Sequence, residues 1–190
     1  MNSQQSNKLV FLIIIILALS LGGCASHRDV NLKFTDTSIS NENIPIRVKL
    51  DMSEKYKNTQ WKKGQWVILF GTNLTKHAEA LVNRIFTKAD HNDYDAILVP
   101  EIISVNHQIS IWAGQESTIS VTNKWTLLDK SGRTIWVKSI IGVGVMEGGT
   151  AFTLKTRGEE RALLAVDDLF VQTISEMSSS VEIKAYAKSL

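Results

Sequence analysis

The chain has 190 residues, 44% of them hydrophobic, with 21 basic and 19 acidic side chains and a net charge of +2. That balance leaves no basic footprint for nucleic acid, and a single cysteine excludes an internal disulfide. The length suits one hydrophobic core without a second domain.

Lys8 follows a polar start, residues 9–21 are almost continuously apolar, and Gly22-Gly23 precede Cys24. This is the three-part layout of a cleaved export signal over residues 1–23. As a helix the apolar run reaches only about 20 Å, short of the roughly 30 Å hydrocarbon core, so a permanent span is disfavoured. Leu21-Gly22-Gly23-Cys24 looks like a bacterial lipobox. The resemblance implies a diacylglyceryl group on the Cys24 sulfur, cleavage before Cys24 and acylation of the freed amine. Several acyl chains anchor stably where one is marginal. Ala25-Ser26 lacks the aspartate of inner-membrane retention, so the resemblance implies a periplasm-facing domain tethered to the outer membrane. No cofactor is expected beyond that covalent lipid.

Residues 24–43 are polar, with weak alternation at Val30, Leu32 and Phe34, and read as a lipidated tether ending in an early strand or none. The domain is expected over residues 44–190. Ile44, Ile46, Val48 and Leu50 alternate with polar residues as a half-buried strand, with Pro45 suggesting an edge. Residues 52–64 read as a polar connection. The run from Trp66 to Phe70 predicts a more deeply buried strand. Ala78, Leu81, Val82, Ile85, Phe86 and Ala89 recur at helical spacing and predict a helix over residues 75–88. The apolar run at 96–99 then completes a βαβ-like unit.

Through the next fifty residues apolar side chains fall on odd numbers: Ile103, Val105, Ile109, Ile111; Ile119, Val121, Trp125, Leu127; Ile135, Val137, Ile141, Val143, Val145. Turn residues at 113–115 and 129–132 divide them into an antiparallel meander with one buried face. Leu163, Val166, Phe170, Ile174, Met177 and Val181 form a second helical stripe after a glycine-rich stretch. The predicted fold is α+β, a two-layer sandwich of a mixed sheet covered on one face by two helices, in the order β-β-α-β-β-β-α.

The segments 165–169 (Ala-Val-Asp-Asp-Leu) and 173–178 (Thr-Ile-Ser-Glu-Met-Ser), followed by Ile183 and Tyr186, resemble the end of YajG-like bacterial outer-membrane lipoproteins. More distantly the pattern is similar to lipoproteins that assist lipopolysaccharide assembly or serve transporters. The resemblance covers residues 66–190 and implies a location and a fold rather than a chemistry.

His107, Asn123 and Ser139 interrupt the odd-numbered apolar face at a spacing of sixteen and sixteen. With hairpins centred on Gln115 and Ser131, all three side chains form one polar row across the sheet. Such a row is either a buried hydrogen-bonded network or the lining of a pocket for a small or lipidic ligand. A Ser–His hydrolase is disfavoured, since two strand spacings hold His107 and Ser139 about 9.5 Å apart. The four histidines are scattered, so no metal site is expected. Gly142 and Gly144 read as a strand bend, and Asp167 and Asp168 as solvated charges on the last helix. Tyr56, Trp61, Lys62, Lys63 and Trp66 mix aromatic and cationic groups in one connection, either folded back on the core or forming a contact surface. Trp112 and Trp136 read as outward-facing candidates for the same role. The expectation for function is a non-enzymatic outer-membrane lipoprotein, an accessory or structural subunit of an envelope complex, presenting a sheet face around Trp136, Lys138 and Ile140 to a protein partner. The alternative is a periplasmic lipid- or glycan-binding module.

Overall fold

The computed structural model describes residues 43–63, 66–89, 93–108, 115–147 and 154–190. The leader, Cys24, the tether to residue 42 and Trp112 lie outside the described residues. Strand β1 (Ile44–Leu50) buries Ile44, Ile46 and Val48 and exposes Pro45 and Lys49, as its alternation predicts.

The next segment is more structured than its polarity suggests. Ser53 accepts the Tyr56 N–H at 3.1 Å and caps a single helical turn, α1 (Glu54–Lys57), which drives Tyr56 into the core. Strand β2 (Gln60–Lys63) then pairs antiparallel with β3 (Trp66–Leu69) in a separate two-stranded sheet. The run starting at Trp66 is therefore not a deep strand of the main sheet, and Val67, Ile68 and Leu69 are only half-buried.

Helix α2 (Gly71–Ile85) starts four residues before the predicted boundary and buries Leu74, Ala78, Leu81, Val82 and Ile85. A β-carbon on Gly71 would stand 1.8 Å from the Lys57 carbonyl oxygen, so only glycine lets this helix start against α1. A short unanticipated strand, β4 (Phe86–Lys88), follows and pairs parallel with β1.

Strands β5 (Ala96–Gln108), β6 (Glu116–Asp129) and β7 (Thr134–Glu147) form the predicted meander. They complete a mixed sheet of order β4-β1-β5-β6-β7, with β1 parallel to β5. Helices α3 (Leu154–Ser179) and α4 (Val181–Ala187) join α2 on one face: α3 lies along β7 and β6, and α4 bridges β1 and β7. The fold is thus the α+β sandwich read from the sequence, with extra elements around residues 54–63 and 86–88 and a third helix over the sheet.

Two register shifts decide which side chains face the helices. The β6–β7 turn is centred on Ser131 as predicted: Asp129 N–H donates to Arg133 C=O at 2.9 Å, and the Asp129 carboxylate accepts from Ser131 and Arg133. One step further Leu128 pairs with Thr134 but Leu127 with Trp136, so Ile135 is an extra residue. A one-residue slip turns every following side chain over. Trp136, Ile140, Gly142 and Gly144 therefore face the helices, and Val137, Ser139, Ile141, Val143 and Val145 face away. A second shift between Ile102 and Ser104 turns Ile103 outward.

Candidate functional site

The predicted polar row does not form. His107 lies opposite Ile119, Asn123 sits between Ile102 and Ile140, and Ser139 is on the other face, opposite Lys124. Asn123 is fully buried, with its amide against the Tyr56 hydroxyl, and neither amide atom makes a well-formed hydrogen bond. The hydroxyl donates to Leu74 C=O at 3.5 Å. Burial holds the Tyr56 phenol far above its usual range, with Asn123 opposing weakly, so it remains a neutral donor.

The two candidate groups meet instead in one contact. The β2–β3 hairpin brings Trp61 edge-on to His107, ring centroids 4.7 Å apart at 61°. Trp61 packs against the core and leaves the contact surface; Lys62 remains exposed, and Lys63 sits at the hairpin end paired with Trp66. Trp136 also leaves that surface: the extra residue at Ile135 turns it inward, to 8% exposure, and Ile140 with it.

The acidic pair of α3 has specific partners rather than simple solvation. His77, buried in α2, places Nδ1 2.8 Å from the Asn73 carbonyl oxygen and Nε2 3.5 Å from Asp167, with its ring over Phe170. A carbonyl only accepts, so Nδ1 carries the hydrogen. Asp168 accepts the Val143 N–H at 2.8 Å, and Gln172 donates to Ile141 C=O at 3.1 Å. The helix thus locks to the edge strand β7 by its second aspartate, while its first stands beside the His77 ring of α2. Gly142 and Gly144 allow this: a β-carbon on either would lie 2.0 Å from an α3 carbonyl oxygen.

Two concave regions and one broad face remain. A cleft of about 230 Å³ between β1 and α2 has Leu50, Met52 and Val82 on its floor and Glu79, Asn83 and Lys88 at its rim. A groove of about 530 Å³ follows the start of β7, lined by Trp136, Lys138, Glu176, Ser180 and Glu182. The face of the sheet away from the helices carries Ile103 at 54% exposure, Val137 and Ile141 at 51%, Val143 at 40% and Val145 at 42%. Lys124 and Glu101 stand 3.9 Å apart on the same face. This face is the strongest candidate for function, and its odd-numbered β7 residues are those that the sequence places in the core.

No protein-family model and no curated protein matches the chain. Among solved structures the chain is similar to a minor lipoprotein from Acinetobacter baumannii, at 15% identity and a TM-score of 0.46, covering 70% of this chain and 90% of that one. It is similar to an uncharacterized lipoprotein B from Nitrosomonas europaea, at 15% identity and a TM-score of 0.46, over 76% and 92% of the two chains. It is also similar to the rare lipoprotein B from Shewanella oneidensis, at 16% identity and a TM-score of 0.41, over 75% and 95%.

Proposed function

We propose that this chain is a lipid-anchored lipoprotein of the bacterial outer membrane that works without catalysis, as an accessory subunit docking a protein partner on its helix-free sheet face. The observation that carries the reading is the strip of Val137, Ile141, Val143 and Val145 on β7, with Ile103 on β5, all 40–54% exposed. Exposed apolar side chains gathered on one face, here interspersed with Ser139 of β7 and Thr122 of β6, mark interaction sites. Branched side chains on a paired sheet also lose little freedom on docking. The neighbouring Lys124 and Glu101 supply charges of both signs that can fix register.

Leu21-Gly22-Gly23-Cys24 supports the lipid anchor, Ala25-Ser26 supports the outer membrane, and the YajG-like carboxy-terminal segment agrees with both. The alternative, a lipid- or glycan-binding module, depended on the polar row or an open Trp61. The row is split between two faces, and Trp61 packs on His107.

The test is native electrophoresis of detergent-solubilised envelopes carrying wild-type protein or the double variant Val137→Asp/Val145→Asp. Wild type is expected in an assembly larger than the free chain, and the variant, equally abundant and folded, as the free chain. A variant that stays in the assembly, or a wild type that migrates alone, contradicts the proposal.

A further inference from the structure

Only the upper half of the β7 edge is closed. Val143 N–H and Ile141 C=O point away from β6 and are taken up by Asp168 and Gln172 of α3. Outward groups alternate along an antiparallel strand, so those of Val137 and Ser139 point the same way. Among the described residues no hydrogen bond is made to them. The open stretch begins at Thr134, where the β6–β7 turn ends, and stops at Ser139, just below the capped Ile141. A groove of about 530 Å³ follows it, with Val137 and the 77% exposed Val181 among its walls. An unpaired edge of this kind is a template for another strand.

We infer that a second copy of this chain occupies the open stretch, its own β7 pairing antiparallel across a two-fold axis beside Val137. Length is the first reason. In that pairing Thr134 of the second copy faces Ile140, one residue short of the carbonyl that Gln172 holds. There the Asp129–Arg133 turn carries the second chain away. Each copy's strand therefore begins where the edge of the other is already capped, and the open stretch is as long as the strand that fills it. A longer foreign strand would run into Asp168 and Gln172. A two-fold contact must be complementary to itself, and a stretch bounded by its own turn and its own caps meets that condition.

The side chains select the register. Val137, 51% exposed, meets its own equivalent at the axis, and the two residues exchange both backbone hydrogen bonds. Ser139 faces Ile135, the residue that the register shift leaves without a partner on β6. Lys138, ion-paired with Glu176 of its own chain, stands opposite Trp136 of the second copy, a cation beside an indole, twice by symmetry. The next register in one direction sets Lys138 against Lys138 and needs the Ile141 carbonyl that Gln172 already holds. The next in the other direction sets Ser139 against Arg133 in the turn and leaves it unpaired. With the axis normal to the sheet, the two five-stranded sheets join into one, with all helices on the same side. The apolar strips of the two β7 strands then run on from each other, and the helix-free face stays open to the protein partner proposed above.

The test is light scattering and cysteine crosslinking of the purified full chain in detergent micelles. No other protein is present there, so the outcome is independent of docking on the helix-free face. Wild type is expected as a dimer and Val137→Pro as a folded monomer, because that substitution removes an N–H that β6 does not use. In parallel, Val137→Cys should oxidise to a disulfide-linked dimer, since the Cα atoms of such a pair lie about 5.5 Å apart. Val143→Cys should not, although Val143 is 40% exposed, because the antiparallel pairing holds the two Val143 positions about 40 Å apart. A monomeric wild type overturns the inference. So does a dimer that persists in folded Val137→Pro, or one that Val143→Cys locks and Val137→Cys does not.

Discussion

Asp168 Oδ2 accepts the Val143 N–H at 2.8 Å, so a helix supplies the hydrogen bond that a further strand would otherwise make. Gln172 does the same for Ile141 C=O and also donates to Asp168 at 2.8 Å, which ties the two caps together. An edge strand managed in this way is closed to unwanted pairing without being buried.

Asp168→Ala should remove that cap. The freed N–H can reach water, so the loss in stability is expected at about 0.5–1.5 kcal/mol. Faster exchange at the Val143 amide should accompany it. Thermal unfolding and hydrogen exchange check both, and unchanged exchange at Val143 would contradict the role assigned to Asp168.

Gly142→Ala and Gly144→Ala should each destabilise more strongly, because the new methyl meets helix backbone rather than a movable side chain. Forcing α3 off β7 is expected to cost about 2–4 kcal/mol, which in a domain of this size lowers Tm by roughly 5–15 °C. Ala at Gly132, where φ is +83° and nothing lies within 4 Å, should cost only about 1 kcal/mol. Calorimetry on the three variants ranks them.

Acid should weaken the fold at the β1–β5 junction. The Arg47 guanidinium bonds Asp95 at 2.7 and 3.0 Å and lowers its pKa from 3.8 to about 2. The folded carboxylate therefore stabilises the protein above its unfolded pKa near 4, and that contribution disappears as pH falls through about 2. Asp129 adds to the same limb, because Ser131 and Arg133 hold its pKa low. Denaturant midpoints from pH 5 to 2 should fall for wild type and fall less for Asp95→Asn. Equal slopes would contradict the assignment.

Asn123→Leu should be tolerated, with stability within about 1 kcal/mol of wild type or above it. A buried amide without well-formed hydrogen bonds is replaced there by an apolar group of similar volume. A loss beyond about 3 kcal/mol in urea unfolding would show that the amide holds a network.

Cys24→Ser should move the protein out of the membrane fraction, and mass spectrometry of membrane-extracted wild type should find an amino-terminal peptide that begins at Cys24 and carries three acyl chains. An unmodified Cys24 thiol would contradict the anchor.

Periodicity carried most of the architecture. β1, α2 and the odd face of β6 stand where alternation and helical spacing put them. The β6–β7 turn was legible from its Asp, Ser and Gly residues, but the extra residue at Ile135 was not, because a bulge leaves the apolar alternation intact while moving it to the other face. That single step turned Ser139 away from Asn123 and exchanged Trp136 for Val137 on the exposed side, while the β5–β6 register, which sets His107 opposite Ile119, separated His107 from Asn123. The two glycines at 142 and 144 held the missing signal. Small residues two apart mark one strand face approached closely, and that face is the even one, toward α3. The roles of Asp167 and Asp168 depended on partners ninety and twenty-five positions away, beyond the reach of local pattern.

Site-specific photocrosslinking in living cells decides whether the helix-free sheet face docks a protein. Probes at Ile141 and Val145 on the helix-free face and a control at Glu79 on α2 would be compared at equal protein levels. One discrete protein adduct is expected from both sheet positions and none from Glu79. Adducts from Glu79 alone, or none from either sheet position in cells where the protein is folded and membrane-bound, would contradict that docking.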